Sequence, residues 1–143
     1  MRWIWIDQAI EYERDERLVA VKLVSLAEEQ MHAQFPADPE LGEAIPVMPN
    51  TLILEGMAQT AGLLVGLRSR FAEKVVLAKI TSAELDADVG PGEVIIYDAR
   101  IDRYDGAGAS TSGVVRRRRM GDPAGEAEQI GRVQMMFSHL DQN

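Results

Sequence analysis

The segment between Pro49 and Arg70 constrains this chain more than any other. It reads Asn50-Thr-Leu-Ile-Leu-Glu-Gly-Met-Ala-Gln-Thr-Ala-Gly-Leu-Leu-Val-Gly-Leu-Arg-Ser-Arg70. Proline cannot continue a helix into it from before, Asn50 or Thr51 can cap free N–H groups, and Arg68 and Arg70 complement a negative carboxyl end. The pattern predicts a helix over 50–70. It is apolar nearly all the way round, whereas a surface helix carries a single apolar stripe, so this one must be wrapped on most sides. Gly56, Gly62 and Gly66 each cost about 1 kcal/mol relative to Ala in a helix, which is expected where another part of the chain packs against the backbone. A curved sheet around the helix meets both demands.

The remaining elements supply that sheet. Arg17–Val24 is rich in β-branched residues and reads as a strand. A stretch from about 27 to 49, with prolines at 36, 39, 46 and 49, reads as a long irregular loop of the kind that is usually functional. Four further strands are expected: Lys74–Ile80 with a continuation toward Ala87, Glu93–Asp102, Ser110–Arg119 and Gln129–His139. Turn signals at Gly90-Pro-Gly92, Asp105-Gly-Ala-Gly108 and Gly121-Asp-Pro-Ala-Gly125 separate them as successive hairpins. The order of elements predicts one α+β domain over residues 1–143, an antiparallel sheet curled around one helix. Such a sheet has open edges, and two copies pairing edge to edge would close them, so at least a homodimer is expected.

Composition removes several classes of function. The chain has no Cys, which excludes disulfides, thiol nucleophiles and thiolate metal sites, and its two His make a multi-His metal site improbable. A net charge of −8 opposes nucleic-acid binding and attachment to an anionic membrane surface. The apolar run at Trp3–Ile6 is too short for a signal peptide. The most apolar stretch, 52–67, is 16 residues long and holds Glu55, Gln59 and Thr60, short of the ~20 that a membrane span needs. A soluble, cytoplasmic protein is expected.

Glu55 is the first candidate for chemistry. No other ionisable group follows it in the helix until Arg68. A capping box would need an acid at residue 53 or 54, three after Asn50 or Thr51, so Glu55 misses both registers. Interaction with the helix dipole is one reading; a desolvated carboxyl serving as acid or base in a cleft is the other. Gln59, one turn on, lies on the same face and can hydrogen-bond it. His32 and Gln34 precede a Phe35-Pro36 turn, and the N–H groups of Asn50, Thr51 and Leu52 can polarise a carbonyl oxygen. A second His, His139, stands near the end of the last strand.

The run Phe35-Pro-Ala-Asp-Pro39, followed by Val47-Met-Pro-Asn-Thr-Leu-Ile-Leu-Glu-Gly-Met-Ala-Gln59, resembles the signature of the hot-dog-fold β-hydroxyacyl-[acyl carrier protein] dehydratases, His-Phe-Pro-x-x-Pro-Val-Met-Pro-Gly-x-Leu-x-x-Glu-Ala-x-Ala-Gln. Trp5-Ile-Asp7 and Gly90-Pro-Gly-Glu93 extend the likeness more loosely. The resemblance implies a hot-dog fold and a dimer, or a dimer-based higher oligomer, with a tunnel at the protomer interface. There, a His from one chain and a Glu from the other would eliminate water from a β-hydroxyacyl thioester of acyl carrier protein or coenzyme A, with no metal or redox cofactor. Carried over residue by residue, Glu55 is catalytic, Gln34 takes the place of the catalytic His, and Phe35, Met48, Asn50, Thr51 and Gln59 fall at substrate-binding positions.

Three departures bear on this expectation. Gln34 stands where the family has His, Asn50 replaces a Gly, and seven residues, 40–46, are inserted before Val47-Met-Pro. An amide is neither acid nor base near neutral pH, so His32 is the remaining base if the insertion re-routes the loop. Two other functions stay open: a thioesterase using Glu55, and a non-catalytic acyl-binding or assembly subunit. Arg116-Arg-Arg-Arg119 alternates faces on a strand. It reads as a solvated strand end blunting a sheet edge or as a docking patch for an acidic carrier protein, with Arg68 and Arg70 as further docking residues.

Overall fold

The computed structural model describes residues 3–33 and 46–140. Six strands form one antiparallel sheet: β1 (Gln8–Glu13), β2 (Arg17–Leu23), β3 (Lys74–Leu85), β4 (Glu93–Tyr104), β5 (Gly108–Arg119) and β6 (Glu128–Leu140). A single turn of helix, α1 (Gln30–Ala33), and the long helix α2 (Asn50–Arg68) lie between β2 and β3. The spatial order is β1-β2-β4-β5-β6-β3, and α2 lies against the concave face, touching β2 through β6. This is the hot-dog arrangement. No described helix is long and apolar enough to cross a membrane.

The sheet curls because its strands carry irregularities. β3 shifts register against β6 between Leu77 and Lys79 and again between Ile80 and Ser82, and β4 shifts against β5 between Ile101 and Arg103. Each extra residue bends its strand and increases the local twist. Inward-facing Leu18, Ala20, Ile95, Tyr97, Ala99, Val115, Ile130, Val133, Met135 and Phe137 meet Ile53, Met57, Ala61, Leu64 and Val65 of α2. Burying each of the larger aliphatic side chains contributes roughly 1.5–3 kcal/mol. Small residues set the distance of approach: a Cβ at Gly113 would overlap the Met57 thioether, and one at Gly56 would overlap the Tyr97 ring and hydroxyl.

Several expectations are corrected. The helix ends at Arg68 rather than Arg70, and Pro49, not Asn50 or Thr51, is its N-cap, with no side-chain capping bond. The Leu52 N–H is not free, since both it and the Ile53 N–H reach the Pro49 carbonyl, at 2.9 and 3.2 Å. β3 and β4 are not a hairpin; β3 lies at the far edge beside β6, so the 86–92 connection crosses the sheet and Gly90-Pro91-Gly92 turns the chain into β4. The loop expected from 27 onward contains α1, and β1 was not anticipated at all: its six residues are exposed and, among the described residues, it pairs only with β2.

The arginine run is also placed differently. β5 lies between β4 and β6, so these side chains stand inside the sheet and guard no edge. Arg116 reaches Asp98 at 3.4 Å, Arg117 reaches Glu128 at 3.1 Å and the Asp88 carbonyl, and Arg118 reaches the Asp122 carbonyl at 3.1 Å. Asp98 also takes the Arg17 Nε and Nη2 at 2.9 and 3.0 Å, while Arg17 Nη1 reaches Glu11 at 2.7 Å. One guanidinium thus ties β1, β2 and β4.

Two outcomes follow from this packing. Gly56→Ala should destabilise the fold by roughly 1–3 kcal/mol through overpacking; Tyr97→Phe should recover part of that loss, and strictly additive effects in urea unfolding would show that the hydroxyl is not the contact. The second concerns acid. Burial pushes the Asp98 carboxyl up, but the hydrogen bond and charge of Arg17, joined by Arg116, outweigh it and hold the group below the usual carboxylate range. A lowered folded value gives stabilisation that is complete above the unfolded pKa of ~3.9 and lost as pH falls through the folded value. Asp98→Asn should therefore cost about 2 kcal/mol at neutral pH, less than for a fully buried pair, and the deficit should shrink as pH falls below the unfolded value and through the folded one.

Candidate active site

α2 presents one stripe that the sheet does not cover. Glu55, Ala58, Gln59, Gly62 and Leu63 recur at three- and four-residue spacing and so share a face. They form the floor of a groove of about 740 Å³. One wall is the amino-terminal segment, with Trp3, Ile4 and Ile6; the other is Val75 and Leu77 of β3 with Phe137 of β6. Phe71, Glu73 and Lys74 lie at the end where α2 gives way to β3. The lining is mainly apolar, with Glu55 and Gln59 as its polar groups toward the start of the helix.

The groove is ordered by one side-chain amide. Gln59 Oε1 accepts the Trp5 backbone N–H at 2.8 Å, and Nε2 donates to the Trp3 carbonyl at 3.0 Å and to Glu55 Oε1 at 3.1 Å. A backbone N–H can only donate, so the amide orientation is fixed: its NH₂ must face the carboxylate. Glu55 Oε1 is thereby occupied as an acceptor, and Oε2 is left for a ligand. The carboxyl is half-buried and lies in the second turn, beyond the reach of a first-turn dipole role.

The other expected site residues are placed less uniformly. Met48 is fully enclosed in the core, its N–H bonded to the Val89 carbonyl at 2.7 Å, and it does not line the groove. Asn50 and Thr51 are exposed in the first turn of α2. The backbone of His32 lies in α1, which is anchored by buried Met31 and by Glu28. Glu28 in turn holds Lys22 at 3.0 Å and accepts the Ser25 N–H at 3.0 Å. Although burial pushes the Glu28 carboxyl up, these donors together with Gln30 hold it low overall. The imidazole of His32, and all of Gln34 and Phe35, lie outside the described residues. His139 does not line the groove; its Nδ1 is 2.8 Å from Glu73 Oε2, and its ring packs on Tyr104, which Arg68 covers from 4.3 Å.

Sequence reasoning paired Glu55 with Gln59 through their i,i+4 spacing but missed the walls. Trp3, Ile4, Leu77 and Phe71 are 60, 58, 40 and 50% exposed, and two tryptophans in an acidic, otherwise tryptophan-free chain were the available signal. Gln59→Leu should free the amino-terminal segment. Limited proteolysis should then cut before Gln8 at least ten times faster than in the unchanged protein, and equal rates would show that the amide does not hold the segment.

Comparison with known proteins agrees with this architecture. The FabA-like domain family matches residues 3–122. The 3-hydroxyacyl-[acyl-carrier-protein] dehydratase FabZ of an Acidovorax species is 35% identical over 118 residues, covering 80% of this chain and 77% of the relative. The dehydratase of the same name from Fusobacterium nucleatum is 32% identical over 103 residues, covering 71% and 67%. Among solved structures, a conserved protein from Pseudomonas aeruginosa superposes with a TM-score of 0.66 at 14% identity, covering 92% of this chain and 86% of that one. A Streptococcus mutans protein bound to acetyl CoA gives 0.67 at 10% identity, covering 94% and 89%. These structures share the fold; the family match and the sequence relatives decide the kinship, and the chain belongs to the FabA-like family.

Proposed function

We propose that this protein is a 3-hydroxyacyl-[acyl carrier protein] dehydratase-like lyase that removes water from β-hydroxyacyl thioesters in the groove along α2. The observation that carries the reading is the Glu55 carboxyl, oriented by the Gln59 amide, at one end of a mainly apolar groove of about 740 Å³ whose other end holds Glu73 and Lys74. The family match and the dehydratase relatives support it.

The chemistry divides between two groups. Elimination takes a proton from the carbon beside the thioester carbonyl and delivers one to the departing β-hydroxyl. Glu55, with Oε1 held by Gln59, presents Oε2 as the acid toward the hydroxyl. The first N–H groups of α2, at Asn50 and Thr51, polarise the thioester oxygen and stabilise the enolate-like charge; a side chain at Asn50, where the family has Gly, leaves that N–H in place. Gln34 stands at the family's His position and transfers no proton, so we assign the base to His32.

The reading includes a second copy of the chain. β3 is a twelve-residue edge strand with exposed Leu77 and Ile80, and an edge of this kind invites pairing with another chain. Pairing through β3 would extend the sheet across two protomers and close the groove beside Leu77, with the loop before α2 of one chain serving the Glu55 of the other. Such a lyase works in the cytoplasm on carrier-protein or coenzyme A thioesters.

The test is hydration of crotonyl and longer trans-2-enoyl thioesters. Glu55→Gln and His32→Ala should each lower kcat by about 10²–10⁴-fold with little change in stability. Full turnover in Glu55→Ala would remove Glu55 from the mechanism. Gln34 favours one second reading, an acyl-binding subunit without catalysis. Acyl binding with no turnover at any chain length would establish that reading, whereas release of free thiol lost in Glu55→Gln would establish a thioesterase.

A further inference from the structure

Where the groove ends, the backbone is unusual. Arg70 and Phe71 both adopt left-handed conformations, with φ of 54° and 56°, which a bulky non-glycine residue rarely does. The Phe71 N–H reaches the Gly66 carbonyl at 2.8 Å and the Arg70 N–H reaches the Leu67 carbonyl at 3.1 Å. This pair of bonds is a Schellman closure of α2 with an arginine where glycine is customary. The Phe71 ring lies so close over Gly66 that a Cβ there would overlap it. Half of the residue nevertheless remains exposed, and it lines the groove. Strain held at a ligand-facing position is a reason to look for a role.

We infer that Phe71, seated on Gly66, is the stop that sets the length of acyl chain the groove accepts. The inference rests on the acyl-thioester reading above and deepens it. Glu55, near the start of α2, fixes the reacting end of the substrate, and the apolar tail then runs along Ala58, Gly62 and Leu63 toward the carboxyl end of the helix. From Glu55 to Gly66 the helix rises ~16 Å, the length of an extended chain of about a dozen carbons. Beyond the ring the lining turns polar: Glu73 lines the groove, its Oε2 2.8 Å from His139 Nδ1, and Lys74 stands beside it. A longer tail would have to displace an aromatic ring and then meet a carboxylate and an ammonium. Gly62 controls the same path from the floor. A Cβ there would sit in ordinary contact, 3.5 Å from the Phe137 ring, so a larger side chain at 62 can be built without disturbing the core.

The experiment compares two profiles across acyl chains of 4 to 16 carbons: hydration of trans-2-enoyl coenzyme A thioesters, and calorimetric binding of the matching saturated acyl thioesters. In the unchanged protein both should rise with length to about ten to twelve carbons and then fall. Phe71→Ala should move both optima two to four carbons longer, with each methylene newly accommodated gaining roughly fourfold. Gly62→Leu should move both optima shorter, which keeps the inference testable if Phe71→Ala folds poorly. Unchanged profiles in both variants would overturn the stop and leave the dehydratase reading intact. Binding profiles that shift as expected, with no turnover at any length in the unchanged protein, would overturn the dehydratase reading and support the stop. A change in sedimentation without a change in either profile would make Phe71 an assembly contact and overturn the inference.

Discussion

A helix without a polar face has to be enclosed, and most of this architecture answers that requirement. α2 buries Ile53, Met57, Ala61, Leu64 and Val65 against five of the six strands. The sheet reaches around it only because bulges in β3 and β4 bend the strands. Close approach depends on Gly56 beneath Tyr97 and on Gly113 beneath Met57. The enclosure is incomplete within the single chain, and the uncovered stripe is the one that carries Glu55 and Gln59.

The groove therefore combines two properties that seldom coexist in a small domain. It is apolar enough for a hydrocarbon tail, and it holds a carboxyl group whose orientation is dictated by a neighbour. Gln59 spends both amide hydrogens on fixed partners, a backbone carbonyl and a carboxylate oxygen, while its own oxygen accepts a backbone N–H. A buried polar network is useful for catalysis when each member is occupied in this way.

Local signals were enough for much of this. Proline before the segment, basic residues at its end and apolar residues on every face announced α2, and the four-residue spacing joined Glu55 to Gln59. Long strands with alternating burial were legible too, as were the turns between β4, β5 and β6. β1 was not, because Gln8–Glu13 buries nothing and is held by an arginine on β2 and pairing with β2 rather than by a core. The position of β3 was misread because consecutive strands usually pair, whereas here the helix diverts the chain to the opposite edge. The N-cap was misjudged because the Pro49 carbonyl receives the two N–H groups that a side-chain cap would otherwise share. The groove walls come from residues 3–6, 71–77 and 137, and nothing in a local window connects segments so distant. Arginines 116–118 read as a solvated strand end or a docking site because their carboxylate and carbonyl partners lie on other strands and turns.

The bond from Trp5 to Gln59 spans 54 positions of sequence, and its consequence lies in the order of assembly. A chain-end segment docked through one side-chain amide, with Trp3 and Ile4 still largely exposed, opens at lower free energy than the buried core and closes last. The sheet and helix can be complete while the amino-terminal wall is still undocked and the carboxyl group still unoriented. Catalytic competence in such a molecule is the last thing to mature during folding, and gentle warming should silence it while the core is still whole.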